Sequence, residues 1–314
     1  YSENKLFDIL LKQQGYRITE DRVLAIDNLK ELFELNERYG IDIKTPKNSS
    51  LINHLLASSK ENWVDIENTY FELLKILVDI KDVKEKNKYK DHIEIINGEL
   101  TEITIYLKEY LLSLDVNIDK QTAIRYYKQF NNSINFDDFL EPDISSQKAM
   151  KGVDYFLNFN YTDSLTNLLS NFKEYRYLQN HIHGDLIDNE IIFGFGDEMD
   201  SIYKQIEELN DNRYFKHIKS FHYFKTPNQR ELQAFLNSNF YQVCIYGHSC
   251  GLSDRVMLNE IFEHENCKSI KIYYYNDDDF TTKTMEISRH FNSNKEMRKK
   301  IVDKDIDCLI PQKI

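Results

Sequence analysis

Tyr241-Gln242-Val243-Cys244-Ile245-Tyr246-Gly247-His248-Ser249-Cys250-Gly251-Leu252-Ser253-Asp254 is the stretch whose reading decides the fold. Its first six residues form an apolar run of strand length. From Ser253 to Phe262 the apolar spacing is that of a helix, with Ser253 placed to cap it. The turn between them, Gly247-His248-Ser249-Cys250-Gly251, fits two chemistries. As Gly-x-Ser-x-Gly it matches the elbow that exposes a nucleophilic serine in α/β-hydrolases. As a glycine-rich turn leading into a helix, it can instead form one wall of a nucleotide site.

Working outward, Val153 to Phe159, Tyr177 to Ile182, Ile191 to Phe195 and Ser269 to Tyr275 are further short apolar runs ending in glycine or polar residues, and each is a candidate strand. Helical stretches lie between several of them, notably Ser164 to Phe172 and Ser253 to His264. Strands alternating with helices predict an α/β domain over residues 151–314 with a Rossmann-like, mostly parallel sheet. Ligands bind such sheets beyond the carboxyl ends of the strands. The N-terminal half, residues 1–150, has a helical texture instead and predicts a large helical subdomain. Leu6, Ile9, Leu10 and Leu11 form one amphipathic stretch, and Leu24, Ile26, Leu29, Leu32, Phe33 and Leu35 another. The strongest runs from Trp63 through Ile66, Tyr70, Leu73, Leu74, Leu77 and Ile80. One more spans Leu100 to Leu114. Breaks fall at Pro46 to Ser50, at the charged Lys81 to Lys90, and at Glu141-Pro142-Asp143.

The 314 residues suffice for two ordinary domains, and 41% hydrophobic content is that of a globular chain. With 9 Gly and 4 Pro, tight turns are few and elements long. The formal charge of −12 argues against a general nucleic-acid binder, which needs a basic footprint. Cys244, Cys250, Cys267 and Cys308 have neither zinc-site nor disulfide-framework spacing, which points to reduced thiols in the cytoplasm. No run of about 18 apolar residues predicts a membrane span.

Three strand ends carry the polar residues. At the first, Asn158-Phe159-Asn160-Tyr161-Thr162, the two asparagines are two apart and on a strand would share a face, suited to sugar hydroxyls; capping a turn is the plainer role. At the second, His181-Ile182-His183-Gly184-Asp185, two histidines share a face and Gly184 admits close approach. With Leu186-Ile187-Asp188 the string also has pieces of metal-ligand spacing, but a single His-x-His lacks the further ligands a site needs. A neutral histidine at a strand end is a general base near pH 7. The third is the pentapeptide. As a hydrolase, Ser249 is followed in the required order by Asp277, Asp278 or Asp279 and then His290, although the turn is long for an elbow and no oxyanion loop precedes it.

Taken together, Asn158-Phe159-Asn160-Tyr161-Thr162, then Ile182-His183-Gly184, then Tyr246-Gly247-His248-Ser249 with Asp254 resembles the AbiH family of bacterial abortive-infection proteins, as does Asn62-Trp63-Val64-Asp65-Ile66-Glu67. That family in turn resembles sirtuin-like NAD-binding domains. The resemblance implies a sirtuin-like site with His183 as the catalytic histidine and Asn160 on the nicotinamide ribose. It places Asn158, Tyr161, Thr162, Gly247, His248, Ser249 and Asp254 around the nucleotide. The family's glycine-rich first strand, Gly-Asn-Gly-Phe-Asp, has no counterpart here, so the resemblance places it before Tyr1. The four-cysteine zinc module of sirtuins is absent too, which disfavours protein deacetylation.

The resulting expectation is an anti-phage effector that hydrolyses NAD, its substrate rather than a resident cofactor, in the cytoplasm and with no metal. Oligomerisation, or a phage or host protein, would hold or release the activity. Two alternatives stay open at this point: a non-catalytic nucleotide-binding sensor of infection, and a serine hydrolase using Ser249.

Overall fold

The computed structural model describes residues 63–79, 91–114, 117–132, 134–140, 152–187 and 190–311. The amphipathic stretches around Leu6 and Leu24, the breaks at Pro46, Lys81 to Lys90 and Glu141-Pro142-Asp143, and Asp188 lie outside the described residues. In chain order the elements are α1 (Trp63–Asp79), α2 (His92–Leu112), α3 (Lys120–Phe130), β1 (Asp154–Asn158), α4 (Ser164–Leu169), β2 (Tyr177–His181), α5 (Ser201–Glu208), α6 (Lys219–His222), α7 (Asn228–Leu236), β3 (Tyr241–Ile245), α8 (Arg255–Glu263), β4 (Cys267–Ile272), α9 (Asp277–Ser288) and α10 (Asn294–Lys300). By contacts the chain divides into two compact units. One runs to Leu114 and adds Phe193–Phe195 and Asp200–Lys219; the other holds Asp115–Ile192, Gly196–Met199 and Ser220–Ile314.

In the first unit the helical spacing read from the sequence becomes a buried seam. Ile66, Tyr70, Phe71, Leu73, Leu74 and Leu77 of α1 are buried, as are Ile93, Ile96, Leu100, Ile103 and Leu107 of α2. Each such side chain contributes about 1.5–3 kcal/mol of burial. Polar groups inside are paired, as buried polar groups must be. The Tyr70 hydroxyl donates to Asn97 Oδ1 at 2.8 Å, and Asn97 Nδ2 donates to the Arg213 carbonyl. Glu67, one and two turns before Tyr70, Phe71 and Leu74 on the same helix, is buried too. Its carboxylate accepts from Lys219 Nζ at 3.0 and 3.1 Å and from the Gly194 N–H at 3.1 Å.

Ile191 to Phe195 is not the strand its apolar run predicts. The segment is buried, but among the described residues its only strand-like pairing is one parallel bridge, Phe195 to Ile218. Gly194 gives the reason: a Cβ there would sit 2.0 Å from the His217 carbonyl oxygen. The backbone at this point is packed too closely to continue a regular ladder of side chains.

The second unit holds the strands. β1 pairs with β2 in parallel from Asp154–Tyr177 to Asn158–His181, with α4 as the crossover. β3 pairs with β4 in parallel across α8, with a register shift between Tyr241 and Gln242. Parallel pairing thus holds wherever a strand is described. The strands form two separate two-stranded sheets, however, and no ladder joins them among the described residues. The protein is a mixed α/β protein with small parallel sheets. One apolar cluster spans both pairs: Ile182 after β2, Ile245, Ile270 and Ile272 from β3 and β4, and Met257, Leu258, Ile261 and Phe262 from α8, with Tyr155, Leu157 and Phe159 against them.

Ser253 is not the helix cap that its position suggests. Leu252–Asp254 form a 3-10 turn instead, and α8 begins at Arg255. Ser253 is fully buried inside that turn. No helix among the described residues is long and apolar enough to cross a membrane.

Candidate functional site

The carboxyl ends of β1, β2 and β3 converge. Phe159 follows β1, and its ring meets the His183 ring edge-on at 5.2 Å and the His248 ring at 4.1 Å. His183 follows β2 and His248 follows β3. Both imidazoles turn to one carboxylate. Asp254 Oδ1 lies 3.1 Å from His183 Nε2, and its Oδ2 lies 3.7 Å from His248 Nε2, at ion-pair range. The Tyr223 hydroxyl is also 3.1 Å from His183 Nε2. Tyr161 adds a further ring, 6.2 Å from that of His183, and its hydroxyl donates to the Ile192 carbonyl at 3.0 Å.

Local sequence explains each placement. Gly184 takes a φ of +80° and Gly247 a φ of +72°, so the chain can double back after β2 and β3 at positions where a Cβ is strained. The return after Gly184 is fixed by the Ile192 N–H donating to the His183 carbonyl at 2.7 Å. In the pentapeptide, Cys250 also has a positive φ, +57°, uncommon for a residue with a side chain. Two bonds secure it: the Cys250 N–H donates to His248 Nδ1 at 3.0 Å, and His290 Nε2 donates to the Cys250 carbonyl at 2.7 Å. At the start of α8, Arg255 reaches Asp197 at 3.1 Å, and the Val256 N–H donates to the Gly196 carbonyl. One first-turn N–H of the helix is therefore already occupied, which narrows the anion site that the helix start would otherwise offer.

Protonation follows from the partners. With a carboxylate facing it, His183 Nε2 carries the proton, so the basic nitrogen of the neutral ring is Nδ1. The Cys250 N–H holds the neutral ring of His248 in the tautomer with Nε2–H toward Asp254, a bond that is given up when Nδ1 takes a proton. Burial opposes charging His248, but the bond to Asp254, with help from Cys250, outweighs it and raises the pKa to about 9. His290 goes the other way, because burial holds its pKa below the ordinary value. An Asp-backed imidazole ringed by Phe159, Tyr161 and Tyr223 can take a proton while the aromatic faces favour neighbouring positive charge.

Asn158 is buried, and its Oδ1 accepts the Asn160 N–H at 3.0 Å, the turn-capping role; its Nδ2 has no acceptor. Asn160 lies beyond the end of β1 with an exposed side chain, so the two amides do not project as a pair. The two histidines diverge as well. His181 ends β2 with Nδ1 toward the Asn160 carbonyl, whereas His183 is buried against Asp254. Thr162 Oγ1 bonds Ser164 Oγ at 2.8 Å before α4. Ser249 is exposed, next to the converging His248.

The serine-hydrolase constellation is not assembled. His290 is fully buried with Nε2 on the Cys250 carbonyl. Asp277 pairs with Lys304, and Asp279 pairs with Lys283 and accepts the Tyr275 N–H. Among the described residues no three His, Cys, Asp or Glu side chains are set to hold a metal ion. Sequence reasoning missed Phe159 as the ring joining the two histidines, Tyr223 and the Asp197–Arg255 pair. The glycine doublet in Gly194-Phe195-Gly196-Asp197 is the signal that could have found Asp197; Tyr223 has none.

Strand ends converging on two histidines, one of them buried, and a shared carboxylate define a mixed α/β protein with its candidate site at the ends of parallel strands. The chain belongs to the AbiH family: the family model for bacteriophage abortive infection AbiH matches residues 16–276. No curated protein and no solved structure matches the chain.

Proposed function

We propose that this protein acts in abortive infection by hydrolysing NAD to nicotinamide and ADP-ribose through a sirtuin-like site. The observation that carries the reading is the convergence of Phe159, His183 and His248 on Asp254 at three strand ends. The C1′–N bond breaks and its electron pair leaves with nicotinamide, which departs neutral and needs no acid. Water adds to C1′ and gives its proton to His183 Nδ1, while Asp254 stabilises the imidazolium so formed. Aromatic rings on either side suit the positive charge of an oxocarbenium-like transition state. Asn160 and Ser249, exposed on the rim, would bind ribose hydroxyls, with Gly247 admitting the nucleotide backbone. NAD pools put this action in the cytoplasm, with an oligomer or a phage or host protein as the trigger.

Following nicotinamide release from NAD tests the proposal. His183→Ala and Asp254→Asn should each lose at least a hundredfold in rate, within the usual span of a general base. Turnover that survives both substitutions would remove the assignment. One observation favours a second reading, a nucleotide-binding sensor: His183 is only 4% exposed, as a structural node would be. Tight nucleotide binding with no turnover under any condition would select it.

A further inference from the structure

His290 is a buried titratable group that the proposed chemistry does not use. In the sequence it stands last in a serine-hydrolase order, a part that its bond to the Cys250 carbonyl denies it. The residue follows α9, is fully buried, and is fixed by α8. Its carbonyl accepts from Asn259 Nδ2 at 2.7 Å, and its ring meets Phe262 edge-on at 5.9 Å. Two residues on, the Asn292 N–H and Nδ2 donate to the Glu263 carboxylate at 2.8 and 2.6 Å.

What this ring holds is a strained turn. Cys250 has a φ of +57°, which its side chain disfavours, and such residues persist only where their surroundings over-determine them. Its carbonyl takes the His290 Nε2–H at 2.7 Å, and its N–H goes to His248 Nδ1 at 3.0 Å. The second bond lasts only while His248 is neutral. Once His248 is charged, the His290 bond is the one hydrogen bond on the Cys250 backbone among the described residues. Histidine suits the task. Burial, with Arg255 and His248 nearby, keeps the ring uncharged, so no second cation stands beside a charged His248 while Nε2–H still donates. Its Nδ1 has no hydrogen-bond partner among the described residues, so Cys250 is all that the polar atoms of the ring engage.

We infer that His290 is a positioning residue for the histidine cluster: it clamps Cys250 in the left-handed turn and so keeps His248 on Asp254. Being fully buried, it acts through the pentapeptide backbone rather than on substrate. Relaxation of Cys250 to an ordinary φ would swing the chain that joins His248 to Asp254, and that pair is already at 3.7 Å, near the limit of an ion pair. The inference concerns how the cluster is held, so it stands or falls apart from the NAD reading.

NMR titration of His248 in the full chain is the direct measurement, with thermal melting to show which variants fold. In His290→Leu the His248 midpoint should fall from about 9 toward the ordinary value of about 6.5, and nicotinamide release should drop about tenfold or more. His290→Gln, whose side-chain amide can donate to the same carbonyl, should keep both close to the parent. Cys250→Gly added to His290→Leu should restore most of the midpoint, because glycine holds a positive φ without a clamp. A role in stability alone would lower the melting temperature of His290→Leu and leave the His248 midpoint in place, which would overturn the inference. So would a glutamine variant that titrates like the leucine one, or a double variant that restores nothing. If His290→Leu alone does not fold, the glutamine and double variants decide by the same outcomes. A midpoint that follows the clamp in a protein that releases no nicotinamide would remove the NAD reading and leave the positioning role standing.

Discussion

Gly184 and Gly247 both adopt positive φ, yet alanine at the two positions should have very different costs. At Gly247, with φ +72°, the nearest atom to a new Cβ is the Tyr275 hydroxyl at 4.0 Å, so only backbone strain is incurred. That strain is about 1–2 kcal/mol for a left-handed residue, reduced by about 0.4–1 kcal/mol because alanine also narrows the unfolded ensemble. The net is about 1 kcal/mol. At Gly184, with φ +80°, the Cβ would meet the Glu190 carbonyl oxygen at 2.3 Å and its carbon at 3.1 Å. Those are backbone atoms in the return segment that the Ile192–His183 bond holds, so the loop must move as a whole. Forced overpacking adds about 1–3 kcal/mol, giving a total of about 2–4 kcal/mol for Gly184→Ala. Urea unfolding of the two variants beside the parent measures the difference. Equal costs would refute the argument, because they would mean that the close approach of Glu190 to Gly184 does not constrain the loop that carries His183.

Other outcomes follow from the charged groups. In Asp254→Asn the His248 pKa, raised to about 9 in the parent, should fall toward the ordinary histidine value of about 6.5, as NMR titration of the ring would show. Since the folded pKa is the higher, His248 stabilises the parent fully below about pH 6.5, and that contribution is lost as pH rises through about 9. A His248 that titrates identically in both proteins would contradict the shared-carboxylate geometry. His290 has the opposite sign: its folded pKa is depressed, so the unfolded chain takes up the proton first and stability falls as pH drops below about 6.5. His290→Gln should therefore lose less stability between pH 7 and pH 5 than the parent. In the first unit, Lys219→Met removes the cation that faces the buried Glu67 carboxylate and should cost about 3–5 kcal/mol, whereas adding Glu67→Gln should recover most of it. Additive costs in that double-mutant cycle would show that the pair is not coupled.

Much of this was legible in the residues, because period-2 and period-3.6 patterns reflect burial directly. Tyr241 to Tyr246 and Ser269 to Tyr275 announce β3 and β4, and the α1 stripe from Ile66 to Leu77 announces its buried face. Burial without a ladder has the same signature, which is why Ile191 to Phe195 reads as a strand until Gly194 is seen against His217. Single-sequence patterns also say nothing of which strands pair. The parallel sense was legible, but the division into two pairs was not. At the site, His183, His248 and Asp254 were named from their motifs. Their meeting depends on Gly184, Gly247 and Cys250 turning the chain after each strand, and spacing along the sequence carries no such angles. Asn158 and Asn160 illustrate the same limit: two residues apart promises a shared face only while the strand lasts, and β1 ends at Asn158.

The division into two strand pairs also bears on the order in which the molecule comes into being. Each pair closes over about two dozen residues, so each can form early and locally as the chain emerges from the ribosome. The histidine cluster belongs to neither pair alone. It draws Phe159 and His183 from the ends of the first, His248 from the second and Asp254 from the turn beyond. A growing chain therefore has no complete site until Asp254 has been made and the two pairs have packed over their common apolar cluster. The site is thus an assembled feature of the second unit, absent from either strand pair by itself.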